Sequence, residues 1–387
     1  MTGPASPGTI VRVSWRSFRV PFASAFQTSR AALAVREGLM VTVETDAGAR
    51  GIGEASPLPE FDGGTMAGTA AALEAMARRI AGLGLAEAWE EPHAELNAEA
   101  GSARVARAGL ESAIADAMAR AAGLPLWAWL ERRTAATADA DPLVPVNATV
   151  DAPEPEGVAK EVARAAAAGF AAIKLKVGSD AVRDLARIAA ARAAGGPAIE
   201  LRIDANGGWD DARAEAALLA CEPYHVALCE QPLDPRRPDC IEATARLRVK
   251  VPVPVALDES CRTVGDIRRI REVGAADAVV LKPMLTGLRE ALAMLSEASR
   301  GDLGTIVTTT FDAGVGTAMA IHLAALIPPP RPACGLATLD RLEHALSLAG
   351  TTPVAGTIRA CGPGLGVSLE EAALARYAGP ISGTVAR

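Results

Sequence analysis

The segment AAIKLKVGSDAVRDLARIAAARAAGGPAIELRIDAN, residues 171–206, contains one complete strand–helix–strand unit. Short apolar strands are predicted at 171–177 and 199–206, and the Ala-rich stretch between them has the composition of a helix. Two strands that are joined by a helix lie parallel in one sheet. This segment therefore predicts an α/β fold.

The same unit recurs between residues 143 and 348, where short apolar strands alternate with Ala-rich helical segments. The predicted strands are 144–150, 171–177, 199–206, 226–232, 253–260, 278–283, 305–311 and 333–338. Eight βα units close into a TIM-type (β/α)8 barrel, and such barrels carry their active site at the carboxyl ends of the strands. We therefore predict a barrel domain over 143–348 that contains the active site.

The regions outside the barrel predict a smaller α+β capping domain over 1–135. Apolar and polar residues alternate at 9–20 and 38–47, which is typical of antiparallel strands. The Gly/Thr-rich tail, 349–387, is expected to return to this domain and complete it. Further predicted segments are loops at 21–35 and 51–65, helices at 65–82 and 103–121, and a polar link at 131–142.

Composition excludes several classes of function. The net charge is −7 and no basic tract occurs, which disfavours a nucleic-acid partner. The apolar runs are short, so no membrane span is predicted, and the N-terminal residues lack the apolar core of a signal peptide. The six cysteines are widely spaced without a C-x-x-C pair, as in a cytoplasmic protein with reduced thiols. A small-molecule enzyme is expected, either as a monomer or as a homo-oligomer.

Lysine is scarce in this chain, and its placement is informative. Only 5 of the 39 basic residues are lysines, and three of them, Lys174, Lys176 and Lys282, lie at the ends of predicted barrel strands. A charged side chain on an apolar strand is costly unless it is paired or has a chemical role. An ammonium group can also lose its proton and act as a base, which a guanidinium cannot do. We therefore predict that these three lysines are catalytic.

Carboxylates occupy the strand ends between those lysines. Asp204, Glu230 and Asp258 end the third, fourth and fifth predicted strands, so the ring from Lys176 to Lys282 advances in steps of 24–28 residues, about one βα unit each. Three inward carboxylates repel one another unless a cation lies between them. All-oxygen ligands suit a hard cation, so Mg²⁺ is the predicted metal, with Mn²⁺ as the alternative.

This constellation predicts carbon-acid chemistry on a small carboxylate substrate. The metal would bind the substrate carboxylate and stabilise an enediolate while a lysine removes the α-proton. Predicted substrate contacts at the ends of strands 3, 7 and 8 are Asn206, Thr310, Phe311 and Gly335. The dispersed histidines are interpreted as structural or surface residues, with His322 and His344 placed on helical stretches.

The motifs resemble those of the enolase superfamily, muconate-lactonizing-enzyme subgroup. They occur in the order of that family, as IKLKVG, RIDANGGWD, CEQPL, ALDES and VLKPMLTG. The resemblance implies that the three carboxylates bind Mg²⁺, that Lys176 is the acid/base with Lys174 as its supporting partner, and that Lys282 is the lysine of strand 6. The histidine acid/base of the mandelate racemase subgroup has no counterpart in TIVTTTF, residues 305–311.

Within the subgroup, two loops resemble those of the o-succinylbenzoate synthases of menaquinone synthesis, which dehydrate a cyclohexadiene carboxylate. These loops are GIGEASPLPEFDGGT, 51–65, and GLATLDRLEHAL, 335–346. The Asp-x-Asp signature of dipeptide epimerases is absent from ACGLAT, 333–338. The expected function is thus a dehydratase. N-acylamino-acid racemisation or dipeptide epimerisation, muconate cycloisomerisation and a Schiff-base aldolase reaction remain alternatives.

Overall fold

The structure is a computed structural model that describes residues 7–27, 32–62, 64–91, 101–133, 142–301, 303–348 and 350–387. Its strands are β1 Ile10–Gln27, β2 Ala32–Thr45, β3 Arg50–Ala55, β4 Leu143–Pro145, β5 Asn147–Val150, β6 Ala172–Lys176, β7 Glu200–Asp204, β8 Leu228–Glu230, β9 Val255–Leu257, β10 Ala278–Leu281, β11 Gly304–Val307, β12 Ser347–Leu348, β13 Thr357–Arg359, β14 Ser368–Leu369 and β15 Ala378–Ala386.

The helices lie mainly between these strands. They are α1 Pro59–Asp62, α2 Met66–Ile80, α3 Leu85–Glu90, α4 Gly101–Ala121, α5 Leu126–Glu131, α6 Pro155–Ala167, α7 Ala181–Gly195, α8 Asp211–Ala220, α9 Cys240–Arg248, α10 Val264–Val273, α11 Pro283–Thr286, α12 Leu288–Ser299, α13 Gly314–Ala324 and α14 Glu371–Arg376. Within the described ranges, no helix is both long enough and apolar enough to cross a membrane. All six cysteines lie in described segments and are free thiols.

The first sheet is antiparallel and has the strand order β15-β1-β2-β3. Because β15 ends the chain and pairs with β1, from Arg12 opposite Ala386 to Phe18 opposite Ala378, the tail completes the cap as predicted. Helix α2 reproduces the predicted helix 65–82, and α4 reproduces 103–121 with two further residues at its start. Helix α4 covers one face of this sheet.

The predicted loop at 51–65 is wrong in its first part, because β3 begins at Arg50 and ends at Ala55. Gly51 and Gly53 do not mark a turn. They lie in the strand where helix α4 packs so closely that side chains would not fit. A Cβ on Gly51 would lie 2.0 Å from the carbonyl oxygen of Ala113, and one on Gly53 would lie 2.0 Å from that of Gly109. Side chains at these positions would push the strand and the helix apart.

The predicted loop at 21–35 is also too long. Strand β1 continues to Gln27 and β2 begins at Ala32, and the two still pair at Phe26 and Leu33. The register shifts between Pro21 and Phe26, and this irregularity interrupts the alternation by which a strand is recognised in sequence. Residues 28–31, and most of the predicted link at 131–142, lie outside the described residues.

The second sheet is parallel, with the order β11-β10-β9-β8-β7-β6-β5, and it forms the wall of the barrel. The segment 333–336 closes the wall: Cys334 bridges to Val146 and Gly335 bridges to Thr308, both in parallel orientation. The predicted eighth strand is therefore reduced to these bridges. The TIM-type barrel with an α+β cap is confirmed, whereas the boundaries 1–135, 143–348 and 349–387 stay predictions.

The first predicted barrel strand, 144–150, is divided between two sheets. Strand β4 pairs antiparallel with β13 of the tail, and only β5 belongs to the barrel wall. The division falls at Val146, whose amide donates to the carbonyl of Gly356 at 2.9 Å. All residues of the short strands β9 and β10 are buried. Side chains such as Ala256, Ala278 and Val280 pack against one another inside the barrel, and helices cover the outer side of the wall.

Candidate active site

A cavity of about 920 Å³ lies at the carboxyl ends of the barrel strands, facing the cap. The cap contributes Leu58 and Phe61 to its lining. The structure brings together in this cavity all the site residues predicted from sequence, namely Lys174, Lys176, Asp204, Asn206, Glu230, Asp258, Lys282, Thr310, Phe311 and Gly335. Their chemical roles remain predictions.

The strand register sets the height of each charged group. Lys176 pairs with Asp204, and Asp204 pairs with Glu230, so these three side chains stand at one level of the parallel wall. Lys174 pairs with Arg202 and lies one pleat deeper on the same face. Asp258 follows β9 directly and Lys282 follows β10 directly, so the cavity gathers its charges from five neighbouring strands.

Lys174 contacts two of the carboxylates. Its Nζ lies 2.9 Å from Glu230 Oε1 and 3.0 Å from Asp204 Oδ2. Burial by itself would lower the pKa of Lys174, but the charges of Asp204 and Glu230 outweigh burial and hold this pKa well above its usual value. Lys174 therefore stays protonated and acts as a fixed cation beneath the carboxylates.

Lys176 has a different environment, although it is only two residues away. Its Nζ donates to Asn206 Oδ1 at 3.1 Å. Burial lowers the pKa of Lys176, and the positive charges of Lys174 and Lys282 lower it further, against the opposing effect of Asp204. Of the three lysines in the cavity, Lys176 is the one whose pKa falls, which is what a general base requires.

Lys282 lies across the cavity, four strands from Lys176 in the wall, and forms an ion pair with Asp258 Oδ2. Burial lowers its pKa, but Asp258 and Glu259 outweigh burial and raise the pKa above its usual value. This lysine is therefore a second fixed cation, on the side of the barrel mouth opposite to Lys176.

The carboxylates form a donor set that suits a hard cation. Burial, together with the charges of Asp204 and Asp258, raises the pKa of Glu230 to about 7 against the lowering effect of Lys174. The pKa of Asp204 is instead lowered, because Lys174 and Lys176 outweigh its burial. A divalent cation among these three groups would relieve the repulsion that raises the pKa of Glu230.

The carboxylates are not already gathered around one point. Among the residues that the structure describes, no three carboxylate, thiol or imidazole groups have the arrangement of a formed metal site. The ammonium groups of Lys174 and Lys282 contact the carboxylates instead. The residues fit a cation by their chemistry and position, so metal binding is carried forward as a proposal.

Gln231 organises this end of the barrel, a role that its motif, CEQPL, does not reveal in sequence. It is fully buried with a positive φ of 40°. Its Oε1 accepts from the amides of Asp258 at 3.0 Å and Ser260 at 3.2 Å, and its Nε2 donates to the carbonyl of Leu233 at 2.9 Å. This side chain thus orients the backbone from which Asp258 projects.

Further cavity residues were missed because nothing local marks them. Arg341 forms a 2.8 Å ion pair with Asp151 across 190 residues of sequence, and both line the cavity. Hydroxyl groups of Thr309 and Thr338 lie 2.8 Å apart in the wall.

The predicted helical placement of His344 is wrong. His344 lies in an irregular segment that lines the cavity. The reason is that the chain after 336 follows the cap and does not form a regular barrel helix.

Comparison with known proteins assigns the family. Residues 157–373 match the family model described as enolase C-terminal domain-like, and residues 8–130 match that of the mandelate racemase/muconate lactonizing enzyme N-terminal domain. An aromatic dipeptide epimerase from Herpetosiphon aurantiacus is 31% identical over 321 residues, which are 82% of this chain and 87% of that protein. An o-succinylbenzoate synthase from Thermobifida fusca is 40% identical over 206 residues, which are 52% of this chain and 61% of that protein.

Solved structures extend this likeness to the whole architecture. The dipeptide epimerase from Enterococcus faecalis, solved with Mg and the dipeptide L-Leu-L-Tyr, superposes with a TM-score of 0.85 at 28% identity and covers 93% of this chain and 99% of its own. Both domains match, in one chain and in the expected order. The chain therefore belongs to the mandelate racemase/muconate lactonizing enzyme family of the enolase superfamily, and it is an enzyme of the lyase or isomerase type.

Proposed function

We propose that this protein is a Mg²⁺-dependent o-succinylbenzoate synthase, which dehydrates a cyclohexadiene carboxylate to an aromatic product in menaquinone synthesis. The choice of substrate rests on the residues that line the cavity at the eighth strand position. Gly335, Ala337 and Thr338 line the cavity there, and the segment 333–338 has no carboxylate. A dipeptide brings a free ammonium group, whose burial without an acidic partner is costly. Asp151 is already paired with Arg341, and the other carboxylates that line the cavity apart from Asp204, Glu230 and Asp258 lie outside this segment; they are Glu161, Asp340, Glu343 and Glu370.

The geometry assigns different tasks to the lysines on the two sides of the cavity. Lys176, with its lowered pKa, would take the α-proton of the substrate and return it to the departing hydroxide on the same face. Lys282, held as a cation by Asp258, would stabilise negative charge on the opposite face. Mg²⁺ held by the three carboxylates would neutralise the substrate carboxylate and so acidify its α-carbon.

The direct test is an assay of the purified protein, with Mg²⁺, on both substrate classes. We expect kcat/KM for dehydration of the hydroxy-succinyl-cyclohexadiene carboxylate, followed by the absorbance of the aromatic product, to be about 10² or more above that for epimerisation of L-Leu-L-Tyr. Epimerisation is followed by deuterium incorporation in D₂O. The reverse ranking of the two kcat/KM values would reject the dehydratase assignment.

Dipeptide epimerisation is the second candidate. One observation favours it: the epimerase from H. aurantiacus aligns over 82% of this chain, whereas the synthase from T. fusca aligns over 52%. In that reaction Lys176 and Lys282, on opposite sides of the cavity, would act as paired acid and base. The two candidates therefore require different behaviour from the same Lys282 ammonium group.

Replacing Lys282 with arginine separates these candidates. Arginine keeps the positive charge beside Asp258 but cannot act as a base. We expect Lys282→Arg to retain measurable dehydration and to lose any epimerisation, both assayed as above. Lys250→Arg is the matched control, since Lys250 lies on the surface in a 2.8 Å ion pair with Glu215. Complete loss of dehydration in a folded Lys282→Arg protein, with Lys250→Arg unaffected, would contradict the role of Lys282 as a fixed cation.

A further inference from the structure

One arginine of the cap extends into the barrel behind the cavity. Arg36 lies on β2, is 1% exposed and does not line the cavity. Its Nε donates to the carbonyl of Phe311 at 3.1 Å, and its Nη2 lies 3.7 Å from Asp312 Oδ1. On the cap side, its guanidinium donates to the carbonyls of Ser56 and Pro57, both at 2.6 Å. A single side chain thus joins two segments that are distant in sequence.

Those two segments carry one wall of the cavity. Leu58 and Phe61 follow the carbonyls that Arg36 binds on the cap side, and Thr310 and Phe311 belong to the segment it binds on the barrel side. We call these four residues the cap wall. They are mainly apolar, in contrast to the charged floor formed by the lysines and carboxylates. The cap wall therefore faces the part of a substrate that the charged floor does not bind.

Phe311 holds a backbone conformation that bulky residues rarely adopt. Its φ is 60°, in the left-handed region, which is strained for a residue with a bulky side chain and persists only where the surroundings impose it. Several contacts impose it. Arg36 binds the carbonyl of Phe311, and the Phe311 ring packs edge-on against Phe22 with centroids 5.6 Å apart. The residues on either side of Phe311 are also joined, since Thr310 Oγ1 donates to Asp312 Oδ1 at 2.7 Å.

Glu54 connects the same two segments a second time. Its Oε1 accepts from the amide of Ala313 at 2.8 Å and from the hydroxyl of Ser56 at 2.7 Å. Its Oε2 accepts from the amide of Gly316 at 2.7 Å, at the start of α13. Glu54 and Asp312 are both fully buried. Burial and the charge of Asp312 raise the pKa of Glu54 to about 7, whereas the guanidinium of Arg36 pairs with Asp312 and offsets the burial of that carboxylate.

We infer that Arg36, Glu54 and Asp312 are positioning residues that hold the cap wall in shape, and that they thereby select the apolar ring portion of the substrate. The inference deepens the proposed function and rests on it for the identity of that ring. The hydrogen bonds described above join these three side chains to the segments of the cap wall, whereas the lysines and carboxylates of the floor have partners of their own. We therefore expect the three residues to affect substrate binding more than proton transfer.

The test is Arg36→Met, which keeps the length of the side chain and removes its donors. Its control is Arg120→Met: Arg120 also binds a buried carboxylate, Asp116, and a backbone carbonyl, that of Val367, but away from this cavity. We expect KM for the cyclohexadiene carboxylate to rise about tenfold in Arg36→Met while kcat changes less than about threefold. Arg120→Met should change neither parameter, even if it lowers Tm.

Hydrogen exchange supplies a readout that does not depend on activity. Peptides that cover 56–61 and 310–316 should exchange faster in Arg36→Met and remain unchanged in Arg120→Met. If Arg36→Met does not fold, Arg36→Lys replaces it, because lysine keeps the charge but has no fork of donors; it should show the same changes in KM and in exchange.

The outcomes separate the inference from the proposed function. The positioning role would be overturned if hydrogen exchange in both segments were unchanged in Arg36→Met. It would also be overturned if kcat of this variant fell about tenfold while KM stayed unchanged. Wild-type protein that is inactive on the cyclohexadiene carboxylate would reject the proposed function alone, since faster exchange in Arg36→Met would still support the positioning role.

Discussion

Replacing Lys176 with alanine should abolish turnover and leave the fold intact. Lys176 stands level with Asp204 in the barrel wall, and burial together with the charge of Lys174 lowers its pKa. Removal of one general base typically costs about 10² to 10⁴ in rate, and the loss should be larger here because the same ammonium returns the proton. The measurements are kcat at saturating substrate, circular dichroism and Mg²⁺ binding by calorimetry.

Lys160→Ala is the control for this substitution, since Lys160 is exposed on α6 and should tolerate alanine without loss of rate. The pH profile gives an independent check. A base acts only when it is unprotonated, so wild-type kcat/KM should fall as the pH drops below the pKa of Lys176. A folded Lys176→Ala protein with a near wild-type rate of dehydration, epimerisation and cycloisomerisation would refute the mechanism.

Removal of divalent metal should have an effect of comparable size. Asp204, Glu230 and Asp258 are buried together, and the ammonium groups of Lys174 and Lys282 are engaged by them. Without a metal ion the substrate carboxylate would therefore enter a site of three acidic groups whose paired lysines are already committed. We expect chelation to abolish activity and added Mg²⁺, or less effectively Mn²⁺, to restore it. Full activity of metal-free protein, verified by elemental analysis, would be incompatible with the proposed function.

The ligand set can be tested by binding alone. Glu230→Gln should weaken Mg²⁺ binding by more than the roughly 10- to 100-fold loss that follows when only a partner of a metal ligand is removed. Glu200→Gln is the control, because Glu200 begins strand β7 at the opposite end of the barrel and is paired with Arg202. Since the pKa of Glu230 is raised to about 7, Mg²⁺ affinity in the wild type should decline as the pH falls below this value.

Much of the site follows from sequence because a parallel barrel converts spacing into position. Residues that end successive strands about one βα unit apart must meet at the barrel mouth, whatever the helices between them contain. The cavity accordingly gathers Lys176, Asp204, Glu230, Asp258 and Lys282. Apolar strands and Ala-rich helices also have distinct local patterns, so the order of elements in the barrel could be predicted.

Local patterns failed where a residue serves a distant contact. Gly51 and Gly53 resemble a turn in sequence, yet they are strand residues whose missing side chains let α4 approach. The segment 333–338 resembles a full strand, but only Cys334 and Gly335 bridge to the neighbouring strands. In both cases the conformation is determined by what packs against the segment.

The sequence by itself determined the barrel, its charged mouth and the return of the tail to the cap, because these depend on periodicity and on the order of strands. Only the tertiary structure decided which polar groups support that mouth. Arg36 and Phe311 are 275 residues apart and still share a hydrogen bond, and Gln231 holds the backbone of Asp258 from the neighbouring strand. No local pattern marks such residues, since a buried polar side chain is stable only with partners that the fold brings to it.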